Sequence, residues 1–133
     1  MSNLELNKQV VRNYVEAFNR GDLNALKMLF TEDAEIQGVL GSGQMDKIMP
    51  IWEQLVQGYG MQLTIDAMIA EDDLVAVRYT EKGSFSAPAF GQNPTGKSYE
   101  LIALEWFEIT GERIRRRWAA RDSASQARQL GLS

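Results

Sequence analysis

The 133-residue chain contains neither cysteine nor histidine. The missing cysteines exclude disulfide bonds and thiolate nucleophiles. The missing histidines exclude catalytic arrangements of the Ser-His-Asp and Cys-His kinds, and the two absences together exclude a zinc site built on imidazole or sulfur. Any proton transfer near neutral pH must therefore be carried by Asp, Glu, Tyr, Lys or a positioned water.

Positive charge is also scarce, because 14 Lys and Arg stand against 18 Asp and Glu, for a net charge of −4. An acidic domain lacks the electrostatic footprint of a protein that binds nucleic acid or an anionic membrane, so we expect neither partner. The sequence has no long apolar run and no basic or apolar signal region at its start, which makes the cytoplasm the default expectation. Its length predicts a single domain over residues 1–133.

The first third of the chain has the periodicity of helices. Ser2 and Gly21 predict the start and the end of the first helix, and Asp22 predicts the N-cap of a second. A third helical pattern surrounds Trp52, and Pro50 predicts that this helix either begins near residue 50 or is kinked there. The apolar stripe of the first helix repeats every four residues: Leu6, Val10, Tyr14 and Phe18.

The second half of the chain changes to the alternating pattern of strands. Strands are predicted over residues 61–70, 74–86, 99–109 and 114–123, after a short strand over 34–39. A loop with two prolines and two glycines is predicted over 87–96, and a short helix over 124–130. Helices followed by an antiparallel meander predict an α+β fold, with the helices on one face of the sheet.

Beyond this pattern of elements, particular residues of the chain resemble those of a known protein family. They are Tyr14–Leu23 (Tyr-Val-Glu-Ala-Phe-Asn-Arg-Gly-Asp-Leu), Asp73–Thr80, Gly83, Pro94-Thr95-Gly96-Lys97, Trp118, Asp122 and the terminal Gln129-Leu130-Gly131. In these positions, and over about Asn7 to Gly131, the chain resembles the SnoaL-like polyketide cyclases of the nuclear-transport-factor-2-like (NTF2-like) superfamily.

The resemblance implies a cone-shaped, curved antiparallel or mixed sheet, wrapped by three N-terminal helices around an apolar pocket, usually in a homodimer. Characterised members close a polyketide ring by an intramolecular aldol reaction without a cofactor, using an aspartate on the last strand, which here matches Asp122. We therefore expect cofactor-independent acid/base chemistry, of lyase or isomerase type, on a small apolar carbonyl compound.

Two alternatives stay open, because a shared fold does not fix a reaction. One is epoxide hydrolysis of the limonene-epoxide-hydrolase kind, or isomerisation, in the same pocket. The other is a protein that binds a small apolar ligand without catalysis. No carboxylate cluster has the spacing of metal ligands, so no metal is expected.

Asp122 is the first candidate catalytic residue. Strand alternation predicts that it shares a face with Ile114, Trp118 and Ala120, so that it points into the pocket. There, desolvation would suit it to remove a proton next to a carbonyl group. The alternative is that Asp122 caps the C-terminal helix.

Glu105 is the second candidate, because it shares a strand face with apolar side chains. A charge in such a position requires a partner or a proton. Two interpretations remain: a pocket acid that faces Asp122, or a structural ion pair with Arg78 or Arg116.

Six residues are predicted to bind substrate: Tyr14, Phe18, Trp52, Arg78, Phe85 and Trp118. Arg78 interrupts an apolar strand, where a guanidinium group can orient a carboxylate or stabilise an enolate. Tyr14 can offer a hydroxyl group to a carbonyl oxygen. Phe85 stands where the family often has the histidine of a Gly-Thr-His sequence, so an aromatic wall replaces a polar partner and favours a flat, apolar ligand.

Overall fold

The computed structural model describes residues 2–132. This part of the chain forms helices α1 (Asn3–Arg20), α2 (Leu23–Met28), α3 (Met45–Tyr59) and α4 (Ser123–Leu130), and strands β1 (Phe30–Gln37), β2 (Ser42–Gly43), β3 (Gln62–Glu71), β4 (Leu74–Ser84), β5 (Ser98–Thr110) and β6 (Arg113–Arg121). The α+β class and the order of helices before the long strands are confirmed. No helix within residues 2–132 is long and apolar enough to cross a membrane.

The six strands form one curved, mixed sheet in the order β2-β1-β6-β5-β4-β3. Strands β1 and β6 run parallel, whereas the other neighbours are antiparallel. Helix α1 packs against β3 and β4, and α3 packs against β1 and β4. The helices therefore cover one face, called the inner face, and the hydrophobic core lies between them and the sheet.

The helix ends follow the predicted capping residues. Ser2 Oγ accepts a hydrogen bond from the Glu5 N–H at 3.2 Å, and Asp22 Oδ1 accepts one from the Ala25 N–H at 3.0 Å. Gly21 closes α1 with a φ of 71°, a left-handed conformation that glycine adopts without steric penalty. Helix α3 begins at Met45, so Pro50 lies inside it and the predicted start near residue 50 is wrong.

A β-bulge in β6 decides which of its residues face inward. Ile114 pairs with Ile109 of β5, whereas Arg116 pairs with the adjacent Glu108, which leaves Arg115 as an extra residue in β6. Because side chains alternate along a strand, one extra residue moves every later side chain to the opposite face. Arg117 is consequently buried on the inner face.

The outer face of the sheet carries an apolar groove. Large apolar side chains of β3 and β5 are exposed there: Ile69, Ile102, Leu104 and Trp106. Trp118 and Ala120 of β6 line the same groove, on the face opposite to Arg117. A sheet face of this kind is typical of a surface that another molecule covers.

Candidate functional site

A cavity lies between the inner face of the sheet and helices α1 and α3. Its apolar lining includes Phe18, Ile48, Trp52, Leu55 and Leu63. The cavity has a volume of about 60 Å³ and opens to solvent on one side. This narrow apolar space suits a compact ligand, with larger groups placed towards the open side.

The first polar group in the cavity is the Glu105 cluster, which consists of Glu105, Arg117, Tyr14 and Tyr79. Glu105 Oε2 accepts a hydrogen bond from the Tyr14 hydroxyl group at 3.0 Å and lies 2.8 Å from Arg117 Nη1. The side chains of Glu105 and Arg117 are only 8% and 6% exposed. This buried pair satisfies the requirement that a carboxylate among apolar side chains has a partner.

The Glu105 cluster also contains polar atoms that the protein leaves free. Among residues 2–132, Glu105 Oε1, the Tyr79 hydroxyl group and Arg117 Nε are buried without a well-formed hydrogen bond, and the Tyr79 hydroxyl group lies beside the Glu105 carboxylate, whose hydrogen bonding contributes to the raised pKa of Tyr79. Unpartnered buried polar atoms are rare in folded proteins, and a catalytic role or a bound water, ion or ligand accounts for many of those that occur. The cluster thus combines a carboxylate oxygen able to accept a proton with a hydroxyl group able to donate a hydrogen bond.

The charge states in the cluster follow from burial and from Glu105. Burial, and then the negative charge of Glu105, raise the pKa of Tyr14 and of Tyr79 well above the usual value for tyrosine. Burial is the largest single effect on Arg117 and lowers its pKa, but the charge of Glu105, the two tyrosines and the hydrogen bond to Glu105 together outweigh burial, so the pKa of Arg117 is raised overall. Both tyrosines therefore remain protonated donors, and Arg117 remains charged.

A second polar group, the Glu81 cluster, consists of Glu81, Arg121 and Tyr99. Glu81 is 1% exposed, and both Glu81 and Arg121 line the cavity. Arg121 Nε donates to Glu81 Oε1 at 3.0 Å, and Arg121 Nη2 donates to Oε2. The Tyr99 hydroxyl group also donates to Glu81 Oε2, at 2.6 Å. The Glu81 carboxylate therefore has protein partners on both oxygens.

Asp122 lies outside the cavity, at the start of α4. Its side chain is exposed, and its Oδ1 accepts a hydrogen bond from the Ser125 N–H at 2.9 Å. The prediction that Asp122 points into the pocket is wrong, because the bulge at Arg115 reverses the alternation on which that prediction depended. The structure shows the capping alternative, so a catalytic role for Asp122 rests on the resemblance alone.

The predicted ion-pair partners of Glu105 were also wrong. Arg78 is exposed on the outer face, where it lines the apolar groove. Arg116 lies 3.7 Å from Glu108, in a partly exposed pair. The actual partner is Arg117, since the bulge moves Arg117 rather than Arg116 to the inner face. Glu105 therefore lines the cavity and forms an ion pair, but it does not face Asp122, and its partner is neither of the two predicted arginines.

Of the six predicted binding residues, Tyr14, Phe18 and Trp52 line the cavity. The Arg117 guanidinium carbon lies 5.7 Å from the centre of the Trp52 ring, a cation–π distance. Phe85 is fully buried and packs against Tyr59, with ring centres 5.0 Å apart, so it is a core residue outside the cavity lining. Arg78 and Trp118 lie on the outer face, so the prediction that they line the same pocket as Tyr14 is wrong.

Sequence reasoning missed four residues that line or border the polar clusters: Tyr79, Glu81, Arg117 and Arg121. The sequence carried a usable signal for Tyr79 and Glu81, because they continue the every-second-residue series of buried side chains that begins with Val75 and Val77 in β4. The two arginines carried none, because only the pairing with β5 reveals the bulge. In the part of the chain that the structure describes, no group of three acidic side chains could hold a metal ion.

The capping role of Asp122 makes a prediction about stability. We expect Asp122→Ala to lower the free energy of unfolding by about 1 kcal/mol, because the first turn of α4 loses its side-chain acceptor. Asp122→Asn should cost less, since asparagine is also a good N-cap residue. Urea denaturation of the two variants checks this, and equal losses in both would contradict the capping role.

Comparisons with known proteins place the chain among related sequences and folds. A family model described as SnoaL-like polyketide cyclase matches residues 8–130. No significant match was found among curated proteins. The solved structure of IdmH from Streptomyces antibioticus, described as "a putative polyketide cyclase", is 26% identical with a TM-score of 0.83, covering 95% of this chain and 99% of IdmH.

Two further solved structures share the fold. A "putative polyketide cyclase" from Xanthomonas campestris pv. campestris is 24% identical with a TM-score of 0.88, covering 97% of this chain and 99% of that one. AclR from Streptomyces galilaeus, described as "a putative hydroxylase", is 20% identical with a TM-score of 0.88, covering 97% of this chain and 83% of AclR. The same fold therefore accompanies more than one described activity.

Proposed function

The chain belongs to the SnoaL-like polyketide cyclase family, and we propose that it is an enzyme that removes a proton next to a carbonyl group of a small apolar compound, without a cofactor. The proposed overall reaction is an intramolecular, aldol-type ring closure. The observation that carries this proposal is Glu105, a buried carboxylate that lines an apolar cavity, with Oε2 held by Arg117 and Tyr14 and with Oε1 lacking a well-formed hydrogen bond.

The proposed base is Glu105 Oε1. Arg117 and Tyr14 both bind Oε2, so they fix the carboxylate while leaving the lone pairs of Oε1 to the ligand. The apolar lining excludes water, which would otherwise solvate the carboxylate and weaken its action as a base. In the first step, the proton of the ligand C–H bond moves to Oε1, and the electron pair of that bond forms an enolate.

The proposed stabiliser of the enolate is Tyr79. Its hydroxyl group is buried, stays protonated and is close enough to Glu105 for the charge of that residue to raise its pKa. A hydrogen bond from Tyr79 to the ligand oxygen stabilises the negative charge that develops there. The enolate carbon then attacks a second carbonyl carbon of the same molecule, and the proton on Glu105 Oε1 passes to the new alkoxide.

The activity can be tested without knowing the natural substrate. We expect the protein to accelerate exchange of the acidic protons of 2-tetralone, a compact bicyclic ketone, for deuterium in D₂O, as followed by proton NMR. Exchange requires proton removal next to the carbonyl group and no later step. Binding of 2-tetralone without accelerated exchange would favour the alternative of a non-catalytic ligand-binding protein.

The assembly that we propose is a homodimer formed through the outer face of the sheet. The side chains of Ile69, Ile102 and Leu104 are 71%, 64% and 51% exposed on this face. Trp106 of β5 lies directly across from Trp118 of β6, and paired aromatic side chains of this kind are common at the centre of protein interfaces. A second copy presents the same apolar surface, as a twofold interface requires.

The proposed dimer predicts the effect of a charge on the outer face. Trp106→Glu should give a monomer, because the new carboxylate would be buried without a partner in the interface. Analytical ultracentrifugation measures the mass in solution. Met28→Glu is the matched control, since Met28 is 68% exposed on α2 and is not part of the sheet. A wild-type monomer, or a dimer that survives Trp106→Glu, would overturn the proposed interface.

A further inference from the structure

We propose that Arg121 forms a second ligand-binding position in the cavity, where it donates a hydrogen bond to an uncharged acceptor oxygen such as a second carbonyl group. Arg121 and Glu81 line the same cavity as Glu105. The proposal rests on the proposed function in one respect, namely that a ligand occupies this cavity. It adds that the protein itself binds a carbonyl oxygen of the ligand other than the one at Tyr79, and names Arg121 as the donor.

The contacts of Arg121 leave one of its nitrogen atoms for a ligand. Nε and Nη2 both bind the Glu81 carboxylate, whereas Nη1 is buried and has no hydrogen-bond partner in residues 2–132. A buried donor without an acceptor is unfavourable, so the site gains free energy when an oxygen reaches Nη1. Nη1 is covered by neighbouring side chains, so a ligand oxygen reaches it only when those side chains move.

Arg121 is held in place before any ligand arrives. The guanidinium group binds Glu81 through two nitrogens, and Tyr99 anchors the same carboxylate from β5. Tyr99 is 3% exposed, and burial together with the charge of Glu81 raises its pKa, so it stays a donor. Because the Arg121 guanidinium group is already fixed, it loses little conformational entropy when it binds a ligand oxygen.

The charge balance of the cavity favours a neutral ligand. Glu105 is paired with Arg117, and Glu81 is paired with Arg121, so the two buried carboxylates are matched by two guanidinium groups. A carboxylate on the ligand would add an uncompensated negative charge close to Glu81 in a dry environment. An uncharged carbonyl oxygen accepts the Nη1 hydrogen bond without that penalty.

The two clusters leave complementary groups free. The Glu105 cluster offers a proton acceptor together with the Tyr79 and Arg117 Nε donors, whereas the Glu81 cluster offers only a donor, Arg121 Nη1. A ligand with its reacting ketone at Glu105 and a second carbonyl at Arg121 satisfies both. Arg121 is therefore a positioning residue for the ligand and takes no part in the proton transfer.

The test compares ketones that differ by one carbonyl group. Acetophenone, 1,3-diacetylbenzene and 1,4-diacetylbenzene are titrated into the full protein, and dissociation constants are obtained from amide chemical shifts in NMR spectra. We expect at least one diketone to bind about tenfold more tightly than acetophenone, as for a hydrogen bond to a charged donor. We expect 3-acetylbenzoate to bind more weakly than 1,3-diacetylbenzene.

The variant that tests Arg121 removes both members of its pair. In Glu81→Gln/Arg121→Met no charge is left unpaired, and the preference should fall to about twofold, the statistical factor for two identical acetyl groups. Arg121→Lys serves if the double variant does not fold, because it keeps the charge beside Glu81 but lacks the guanidinium fork. Arg115→Met, an exposed change on the same strand, is the matched control and should keep the preference.

Two results would overturn the role of Arg121: no diketone preference beyond twofold in the wild type, or a preference that survives in both Arg121 variants. These results are separate from a failure of the proposed function. If 2-tetralone exchange is absent while the diketone preference depends on Arg121, the proposed catalysis is wrong and the second position stands. If exchange is present without the preference, only the second position is wrong.

Discussion

Arg117→Met is expected to lower the free energy of unfolding by about 3–5 kcal/mol, the typical loss when one partner of a buried ion pair is removed. Glu105 would keep its Tyr14 hydrogen bond but would lose the only guanidinium group bound to it among the residues that the structure describes. Its charge would then be buried without compensation. Chemical denaturation of the variant and the wild type measures the difference.

Two further variants separate the lost charge pair from lost packing. Arg116→Met removes a partly exposed pair on the same strand and should cost less than about 1 kcal/mol. The double variant Glu105→Gln/Arg117→Met should recover much of the loss, since it leaves no unpaired charge. If the double variant is as unstable as Arg117→Met, packing around the guanidinium group, and not its pairing with Glu105, stabilises this part of the core.

Glu105→Gln is expected to reduce the rate of 2-tetralone exchange by about 10²- to 10⁴-fold, the usual contribution of a general base. Glutamine has nearly the same shape as glutamate and can still accept a hydrogen bond from Arg117, but its amide is not a base at neutral pH. The variant should therefore bind the ketone and fail to remove its proton. Exchange rates at saturating 2-tetralone separate this loss from weaker binding.

A second variant keeps the negative charge at this position. Glu105→Asp retains a carboxylate for Arg117 but shortens the side chain by one methylene group, and a displacement of about 1 Å can cost about 10²-fold in rate. Glu108→Gln on the same strand is the control, because Glu108 belongs to the pair with Arg116 away from the cavity. Wild-type exchange rates in both Glu105 variants would show that another group is the base.

Local patterns were sufficient to predict most of the fold. The alternation of β5 predicts the face shared by Leu101, Ala103, Glu105 and Phe107, and all four side chains are buried on the inner face. The capping residues Ser2 and Asp22 predicted the starts of α1 and α2, because each side chain binds a backbone N–H group three residues later. Gly21 predicted the end of α1. Such contacts depend on neighbouring residues, which a sequence shows directly.

The composition of the site depended on long-range pairing. The bulge at Arg115 arises between β5 and β6, and nothing in the sequence Arg-Ile-Arg-Arg-Arg-Trp marks which arginine is the extra residue. The extra residue shifts the alternation by one position. The inner face therefore carries Arg117 and Ala119, where the sequence pattern predicted Trp118 and Ala120. The predicted inward orientation of Asp122, at the end of β6, was therefore wrong, whereas the predicted face of Glu105, on the regular strand β5, was correct.

The most direct test of Glu105 as the base compares 2-tetralone exchange by Glu105→Gln and Asp122→Asn under identical conditions. Glu105→Gln should lose about 10²-fold or more of the wild-type rate, because Glu105 Oε1 is the proposed base. Asp122→Asn should keep the wild-type rate, because Asp122 caps α4 outside the cavity. The reverse result, with exchange lost in Asp122→Asn and kept in Glu105→Gln, would contradict the assignment of Glu105 as the base.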